Sequence, residues 1–265
     1  MATPSKASAG ELDPSFGAGG KVIGPFQGES ALLDNGKILT AGRRDDRPDL
    51  LLIQHLDDGN VDESFGEEGR KNITLNGSVV KVSTVKSQPG GRALIFGTVG
   101  VGALTMLYVA RILPGGELDR DFGERGCAYV SSPAPGKSYS SSALAIQPDE
   151  KIILVAQTET PGLPAAELFR LDHTGNLDLS FGDAGMVSVM GGYQFPSVIV
   201  LPDSRLVLGG RWSGALFAAF LSDGRRDLDF GKSGVVRIEV GSNNLSDITR
   251  NRTTGRWENH GHWRG

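Results

Sequence analysis

The sequence has few of the features that mark redox, membrane or nucleic-acid proteins. Its 265 residues include one cysteine, Cys127, so no internal disulfide framework is possible. No apolar run reaches the roughly 18 residues of a membrane helix, and no apolar stretch follows a basic start, so no secretory signal peptide is expected. A formal net charge of −4 provides no general attraction to nucleic acid or anionic membranes. We therefore expect a soluble chain, cytoplasmic by default, with no nucleic-acid partner and no membrane span.

Aromatic residues are also scarce, at 7%, whereas glycine is abundant, with 38 residues. Glycine adopts backbone conformations that other residues avoid, so it is typical of tight turns. This composition favours short strands joined by many turns over a helical fold.

One short pattern, D-x-x-F-G-x-x-G, occurs five times in the sequence. Its phenylalanines are spaced by 49, 57, 59 and 49 residues. The aspartate, phenylalanine and first glycine of the five copies are Asp13, Phe16 and Gly17; Asp62, Phe65 and Gly66; Asp119, Phe122 and Gly123; Asp178, Phe181 and Gly182; and Asp227, Phe230 and Gly231. Internal repetition at such a period indicates a repeat architecture.

Each repeat also contains four short apolar runs separated by turn residues. In one unit they cover residues 142–146, 152–155, 167–170 and 186–189. Such runs are too short for helices, and four strands per unit are typical of a propeller blade. The sequence therefore predicts an all-β fold, a β-propeller of about four complete four-stranded blades. A β-solenoid usually has shorter coils, and a sandwich needs no five-fold motif.

The two ends of the repeat array are expected to be irregular. Residues 1–11 are polar and predicted to be disordered, and residues 12–241 form the repeat domain. Residues 21–26 are predicted to be an N-terminal fourth strand without its first three strands. In residues 242–265, Arg, Asn, Glu and His replace the apolar residues of other repeats, which predicts an irregular tail or a degenerate, incomplete fifth blade. An unpaired edge would favour self-association.

The repeat resembles a known family. The segments A-L-A-I-Q-P-D-E-K-I-I-L-V-A, from residue 143, and R-L-D-H-T-G-N-L-D-L-S-F-G-D-A-G, from residue 170, are similar to the delta-60 repeat of bacterial β-propellers. The resemblance extends over about residues 12 to 240. It implies a propeller fold and brings no catalytic residues. The last copy departs from the pattern, because Arg226 stands where Leu or Val is expected.

The repeated motif residues have a structural interpretation. Clustered carboxylates are calcium ligands, but one aspartate per blade places them apart. An aspartate before a turn accepts backbone N–H bonds there, so we predict no metal and no cofactor. We expect Phe65, Phe122 and Phe181 to be buried plugs.

No catalytic constellation can be assembled from the remaining residues. His55 and His173 lie near the ends of third strands and are expected to face solvent, and the H-x-H of residues 260–262 lacks further ligands. Cys127 is predicted to pack as a small hydrophobe at the start of a fourth strand. No nucleophile is paired with a base.

Candidate ligand residues fall in the loops of one propeller face. Two precede first strands, and the others connect second to third strands: Tyr139, Tyr193, Arg43, Arg44, Asp46, Arg211 and Trp212. Exposed aromatics beside charges suit sugar stacking or a protein contact, although loops commonly expose such residues.

These observations favour binding over catalysis. The leading hypothesis is a non-enzymatic binding or scaffolding propeller that recognises a protein or glycan partner through one loop face. The alternatives are a propeller hydrolase or lactonase with a site at the channel mouth, and a truncated product without activity.

Overall fold

The all-β class is confirmed by a computed structural model of the chain. It describes residues 10–43, 48–77, 80–102, 104–131, 138–158, 165–189, 194–211 and 214–238. These ranges contain sixteen β-strands and no helix. It follows that no described helix could cross a membrane.

The strands form four separate four-stranded antiparallel sheets. Sheet 1 contains β1 (Gly28–Leu32), β2 (Ile38–Arg43), β3 (Leu50–His55) and β4 (Arg70–Ile73). Sheet 2 contains β5 (Val80–Gln88), β6 (Arg92–Val101), β7 (Leu104–Ile112) and β8 (Cys127–Val130). Sheet 3 contains β9 (Tyr139–Ile146), β10 (Ile152–Thr158), β11 (Ala165–Leu171) and β12 (Met186–Val189). Sheet 4 contains β13 (Gln194–Val200), β14 (Leu206–Arg211), β15 (Ala215–Phe220) and β16 (Val235–Ile238).

Every sheet is a meander, because its strands pair in the order in which the chain reaches them. The first and third connections of a meander therefore lie at one end of the strands, and the second connection lies at the other. The link to the next sheet also starts at that other end. We call the two ends of the array the turn face and the loop face respectively.

Four of the five D-x-x-F-G motifs lie on the turn face, between the third and fourth strands of their sheets, and the first copy precedes β1. The residue before the last glycine of the motif has a positive φ in all four sheets, as in Glu68 (50°) and Arg125 (56°). The final glycine also has a positive φ, 79° at Gly69 and 101° at Gly126. Two successive left-handed residues reverse the chain, and the glycine makes that reversal accessible.

The hydrophobic core is divided into three layers, one between each pair of neighbouring sheets. Alternating side chains along a strand point to opposite faces of its sheet. In β10, Leu154 packs towards sheet 2 and Val155 packs towards sheet 4, and both are fully buried. Sheets 2 and 3 are consequently apolar on both faces.

The predicted N-terminal strand is wrong. Residues 21–26 lie outside every described strand, with one bridge from Lys21 to Gly17. The side chain of Ile23 is 91% exposed. A strand needs a hydrogen-bonded partner, and no described strand pairs with this segment, although its Phe26 ring packs against Gly42 of β2. The predicted disordered segment (apart from residues 10 and 11) and the predicted degenerate blade lie outside the described residues.

Candidate functional site

The motif aspartates are held by the turns that follow them. Asp178 Oδ1 accepts the Ser180 backbone N–H at 3.1 Å and the Ser180 hydroxyl at 2.6 Å. Asp62 holds Ser64 in the same way. The predicted backbone-capping role of these carboxylates is confirmed.

The second oxygen of Asp178 binds cations from its own sheet. Arg170 Nε lies 2.9 Å and Lys151 Nζ lies 3.2 Å from Asp178 Oδ2. Burial would raise the pKa of Asp178, but the hydrogen bonds from Ser180 and the adjacent positive charges hold that pKa well below its usual range. The carboxylate is thus ionised and its oxygens are engaged within the repeat.

An arginine of the third strand links neighbouring sheets, a role that sequence reasoning missed. The guanidinium carbon of Arg170 lies 4.6 Å from the Phe181 ring centroid, and its Nη1 donates to the carbonyl of Ser222 in sheet 4. Arg111 repeats the arrangement over Phe122 and donates to the carbonyl of His173 in sheet 3. The spacing Arg-x7-Asp occurs only in these two repeats, so the signal was weak.

The motif phenylalanine completes the sheet-to-sheet joint. Phe65, Phe122 and Phe181 are all buried, as predicted. A Cβ added at Gly175 would lie 2.9 Å from the Phe122 ring, and one at Gly224 would lie 3.0 Å from the Phe181 ring. Each ring therefore packs on the turn glycine of the next sheet, where a side chain would not fit.

The predicted ligand residues are only partly described. Arg43 ends β2 and is half-buried, and Arg211 ends β14 and is exposed, both on the loop face. They hold equivalent positions in the first and last sheets, so the array does not bring them together as neighbours. Residues Arg44, Asp46, Tyr193 and Trp212 lie outside the described residues.

The exposed loop position predicted for Tyr139 is wrong. Tyr139 is the first residue of β9 and is 1% exposed. Its hydroxyl donates to Glu167 Oε2 at 2.5 Å, and its ring meets Phe169 edge-to-face at 5.6 Å. The ring lies between sheets 2 and 3 because this face of β9 is covered by sheet 2. Glu167, which sequence reasoning treated as an ordinary strand residue, satisfies the buried phenol.

The described histidines, His55 and His173, and the cysteine belong to the strands and turns of the sheets. His55 is buried, contrary to the prediction, and burial lowers its pKa. His173 is exposed, as predicted. Cys127 opens β8 and is buried, and burial raises its pKa to about 11, which confirms the predicted packing role. At neutral pH this thiol is protonated and unreactive.

Two clefts are present in the described part of the chain. A cleft of about 670 Å³ lies between β4 and the 113–126 connection, and it is lined by Lys71, Glu117, Arg120 and Arg125 among others. A second, of about 260 Å³, lies between residues 16–26 and sheet 1, and its lining mixes apolar side chains such as Phe26 with polar ones such as His55. The same residues contain no group of three His, Cys, Asp or Glu side chains able to hold a metal ion.

Comparisons with known proteins find only remote similarity to solved structures. No protein family matches the sequence, and no curated protein matches it significantly. A protein of unknown function from Dyadobacter fermentans shares 14% identity with a TM-score of 0.47, covering 80% of this chain and 64% of its own. This chain thus spans just under two thirds of that relative.

Two carbohydrate-active enzymes are similar in the same limited way. A GH43 β-1,3-galactosidase shares 13% identity with a TM-score of 0.44, covering 82% of this chain and 77% of its own. A mannose phosphorylase from Leishmania mexicana shares 13% identity with a TM-score of 0.40, covering 76% and 66%. Similarity at this level transfers neither a site nor an activity to this chain.

Proposed function

We propose that this chain is a non-enzymatic β-propeller module, built from delta-60-type repeats, that binds a protein or glycan partner through its loop face. The observation that supports this proposal is the contrast between the two faces of the array. The motif connections on one face have the same length in every sheet, and the connections on the other face differ in length from sheet to sheet.

The turn face is the constant one. The connection between third and fourth strands is 14 residues long in every sheet: 56–69, 113–126, 172–185 and 221–234. Its motif side chains are used in capping and in packing against the next sheet. Residues consumed in this way have little capacity left for a ligand.

The loop face varies in length. The connections from second to third strands have six, two, six and three residues: 44–49, 102–103, 159–164 and 212–214. The links between sheets have six, eight and four residues: 74–79, 131–138 and 190–193. In repeat proteins, such per-repeat differences map to the face that binds, because loops accept changes that the packed elements do not.

The test compares two exposed arginines at opposite ends of sheet 4. The labelled chain is applied to a glycan array and used in parallel to capture partner proteins. Arg211→Glu on the loop face is expected to weaken binding at least about tenfold, as loss of a contact arginine does. Arg225→Glu on the turn face is the matched control and should leave binding unchanged.

Two results would contradict the proposal. Equal loss of binding in both arginine variants would remove the loop face as the binding surface. Release of a hydrolysed product from any bound glycan would show that the chain is an enzyme.

A further inference from the structure

The cleft of about 670 Å³ lies where sheet 1 meets sheet 2, and positive side chains outnumber negative ones in its lining. Lys71 of β4 belongs to sheet 1, and Arg120 and Arg125 belong to the motif connection of sheet 2. Among the described lining residues, Glu117 is the one acidic side chain. Three cations and one anion therefore line this cleft, in a chain whose formal net charge is −4.

The two arginines of the cleft are not engaged within the described part of the chain. Neither Arg120 nor Arg125 forms an ion pair or a side-chain hydrogen bond there. Lys71 Nζ lies 3.7 Å from Glu117 Oε1, which is longer than a hydrogen bond. The Glu117 side chain is 58% exposed, so this ion pair contributes little. The guanidinium donors are consequently available to an anion that enters the cleft.

Both arginines occupy variable positions of the D-x-x-F-G-x-x-G motif. Arg120 follows the aspartate, and Arg125 precedes the last glycine. The aspartate of the motif caps a turn and the phenylalanine packs on the next sheet, whereas the side chains at these two positions are exposed. The fold therefore does not require a positive charge at either position.

The other sheets have neutral or acidic residues at the positions of the three cations. The equivalents of Arg120, Arg125 and Lys71 are, respectively, Glu63, Leu179 and Leu228; Glu68, Ala184 and Ser233; and Ala128, Val187 and Val236. A feature required by the repeat would recur from sheet to sheet. The positive lining is instead particular to the boundary between sheets 1 and 2.

The cleft also offers uncharged hydrogen-bonding groups. Asn72 and Thr74 are exposed in its lining. Because β4 is the edge strand of sheet 1, alternate N–H and C=O groups along it have no strand partner. Sugar hydroxyls both donate and accept hydrogen bonds, so they match this mixture. None of the described lining residues is aromatic, so a nucleotide base would find no ring to stack on.

The volume of the cleft sets a lower limit on the size of its ligand. Pockets of about 300–1,000 Å³ hold small organic molecules, so about 670 Å³ is more than a single inorganic anion fills. The planar guanidinium group matches the geometry of oxyanions such as carboxylates. Cations that belong to two different sheets can contact separate anionic groups of one ligand.

We propose that this cleft is a binding site for an acidic oligosaccharide, one that carries carboxylate or sulfate groups. Arg120 and Arg125 bind its anionic groups from sheet 2, and Lys71 binds from sheet 1. Asn72 and Thr74 bind its hydroxyls. The site is separate from the loop face and does not depend on the partner proposed for that face.

The test measures binding to the full chain by isothermal titration calorimetry at low salt. The probes are trigalacturonate, which carries carboxylates, and a heparin-derived tetrasaccharide, which carries sulfates. At least one of them is expected to bind with a Kd of about 1 mM or below. Raising the salt from about 20 mM to about 300 mM should weaken this binding at least about tenfold. The neutral trisaccharide cellotriose should not bind.

The repeat itself supplies substitutions that remove the charges and suit the fold. Arg120→Leu and Arg125→Ala introduce the residues of sheet 3, and together they should weaken binding at least about tenfold. Glu117→Asn also introduces the residue of sheet 3, and it should tighten binding about two- to threefold because it removes the opposing charge. Arg225→Ala, on the turn face of sheet 4, is the matched control and should leave binding unchanged.

Three results would overturn the proposal. The first is that neither acidic probe binds. The second is that inorganic sulfate binds as tightly as the tetrasaccharide, because the cleft would then hold a simple anion only. The third is that Arg211→Glu abolishes binding while the Arg120→Leu/Arg125→Ala variant retains it, because the sugar would then lie on the loop face. The site itself predicts no effect of Arg211→Glu, so it is tested independently of the loop-face proposal.

Discussion

Sheets 3 and 4 are built from the same repeat, yet their apolar side chains lie in different environments. Ile153 and Leu168 of sheet 3 are fully buried, whereas the equivalent Val207 and Phe217 of sheet 4 are half-buried. The difference arises from the neighbour and not from the repeat, because a sheet buries its second face only where another layer packs on it, and among the described residues no further sheet follows sheet 4. The burial of these apolar side chains therefore depends on whether a neighbouring sheet packs on them.

The largest expected effect comes from removing a ring from a filled joint. Phe122→Ala should lower the free energy of unfolding by about 3–5 kcal/mol, since it leaves a cavity between sheets 2 and 3. Phe230→Ala, at the open joint, should cost less than about half as much because the ring is already partly solvated. Urea unfolding of both variants measures the difference, and equal losses would show that Phe230 is packed like the others.

A smaller effect is expected from adding a side chain at the turn glycine on which a motif phenylalanine packs. Gly175 has a φ of +89°, and an added Cβ would lie 2.9 Å from the Phe122 ring. Gly175→Ala should therefore cost about 2–4 kcal/mol, from backbone strain and overpacking together. Gly36 has a φ of +82° with open space around it, so Gly36→Ala isolates the backbone strain. Matching denaturation midpoints for the two variants would show that the Phe122 ring does not pack tightly against Gly175.

The motif carboxylate gives a pH-dependent comparison. The lowered pKa of Asp178 stabilises the fold at pH values above about 3.9, its usual unfolded value, and this stabilisation is lost as the pH falls further. At pH 7, Asp178→Asn should cost about 1–3 kcal/mol. The difference in free energy of unfolding between Asp178→Asn and the unmodified chain should narrow as the pH falls from about 4 to about 2.

Asp13 is the matched control for this titration. It caps Ser15 in the same way, but among the described residues no arginine of a third strand pairs with it, and it is exposed. Asp13→Asn should therefore change the pH dependence of unfolding less than Asp178→Asn does. A larger change at Asp13 would show that capping, and not the charge pair, sets the acid sensitivity.

The smallest expected effect is at the tail. Deleting residues 242–265 should shift the free energy of unfolding by less than about 0.5 kcal/mol, because their sequence offers little apolar surface to bury. Thermal unfolding of the truncated chain tests this. A loss of several degrees would show that the tail covers part of sheet 4.

The repeated features of the fold were predictable from the sequence, and the unique ones were not. The motif fixes a turn, and alternating apolar residues fix the strands, so four four-stranded sheets follow from local chemistry. The strand predicted at residues 21–26 is wrong because pairing depends on a partner that a local pattern does not contain. Its absence from every described strand is a consequence of tertiary context.

The candidate site was harder to predict for a related reason. Tyr139 was assigned to an exposed loop, although its first-strand position places it between two sheets beside Glu167. The Arg111 and Arg170 contacts were missed because sheets 1 and 4 carry Gln54 and Ala219 instead. Contacts between residues far apart in the sequence leave no local pattern. Only an alignment of the repeats shows that Arg111 and Arg170 occupy equivalent positions.

The central claim is that the motifs of sheets 1 to 3 each join their sheet to the next and that, within the described residues, nothing fills the equivalent position after sheet 4. Native-state hydrogen exchange of three glycine amides tests it most directly. Gly123 and Gly182 donate to the next sheet and should be strongly protected, whereas Gly231 should exchange orders of magnitude faster. Protection of Gly231 equal to that of Gly182 in the unmodified, monomeric chain would contradict the account, because its joint would already be filled.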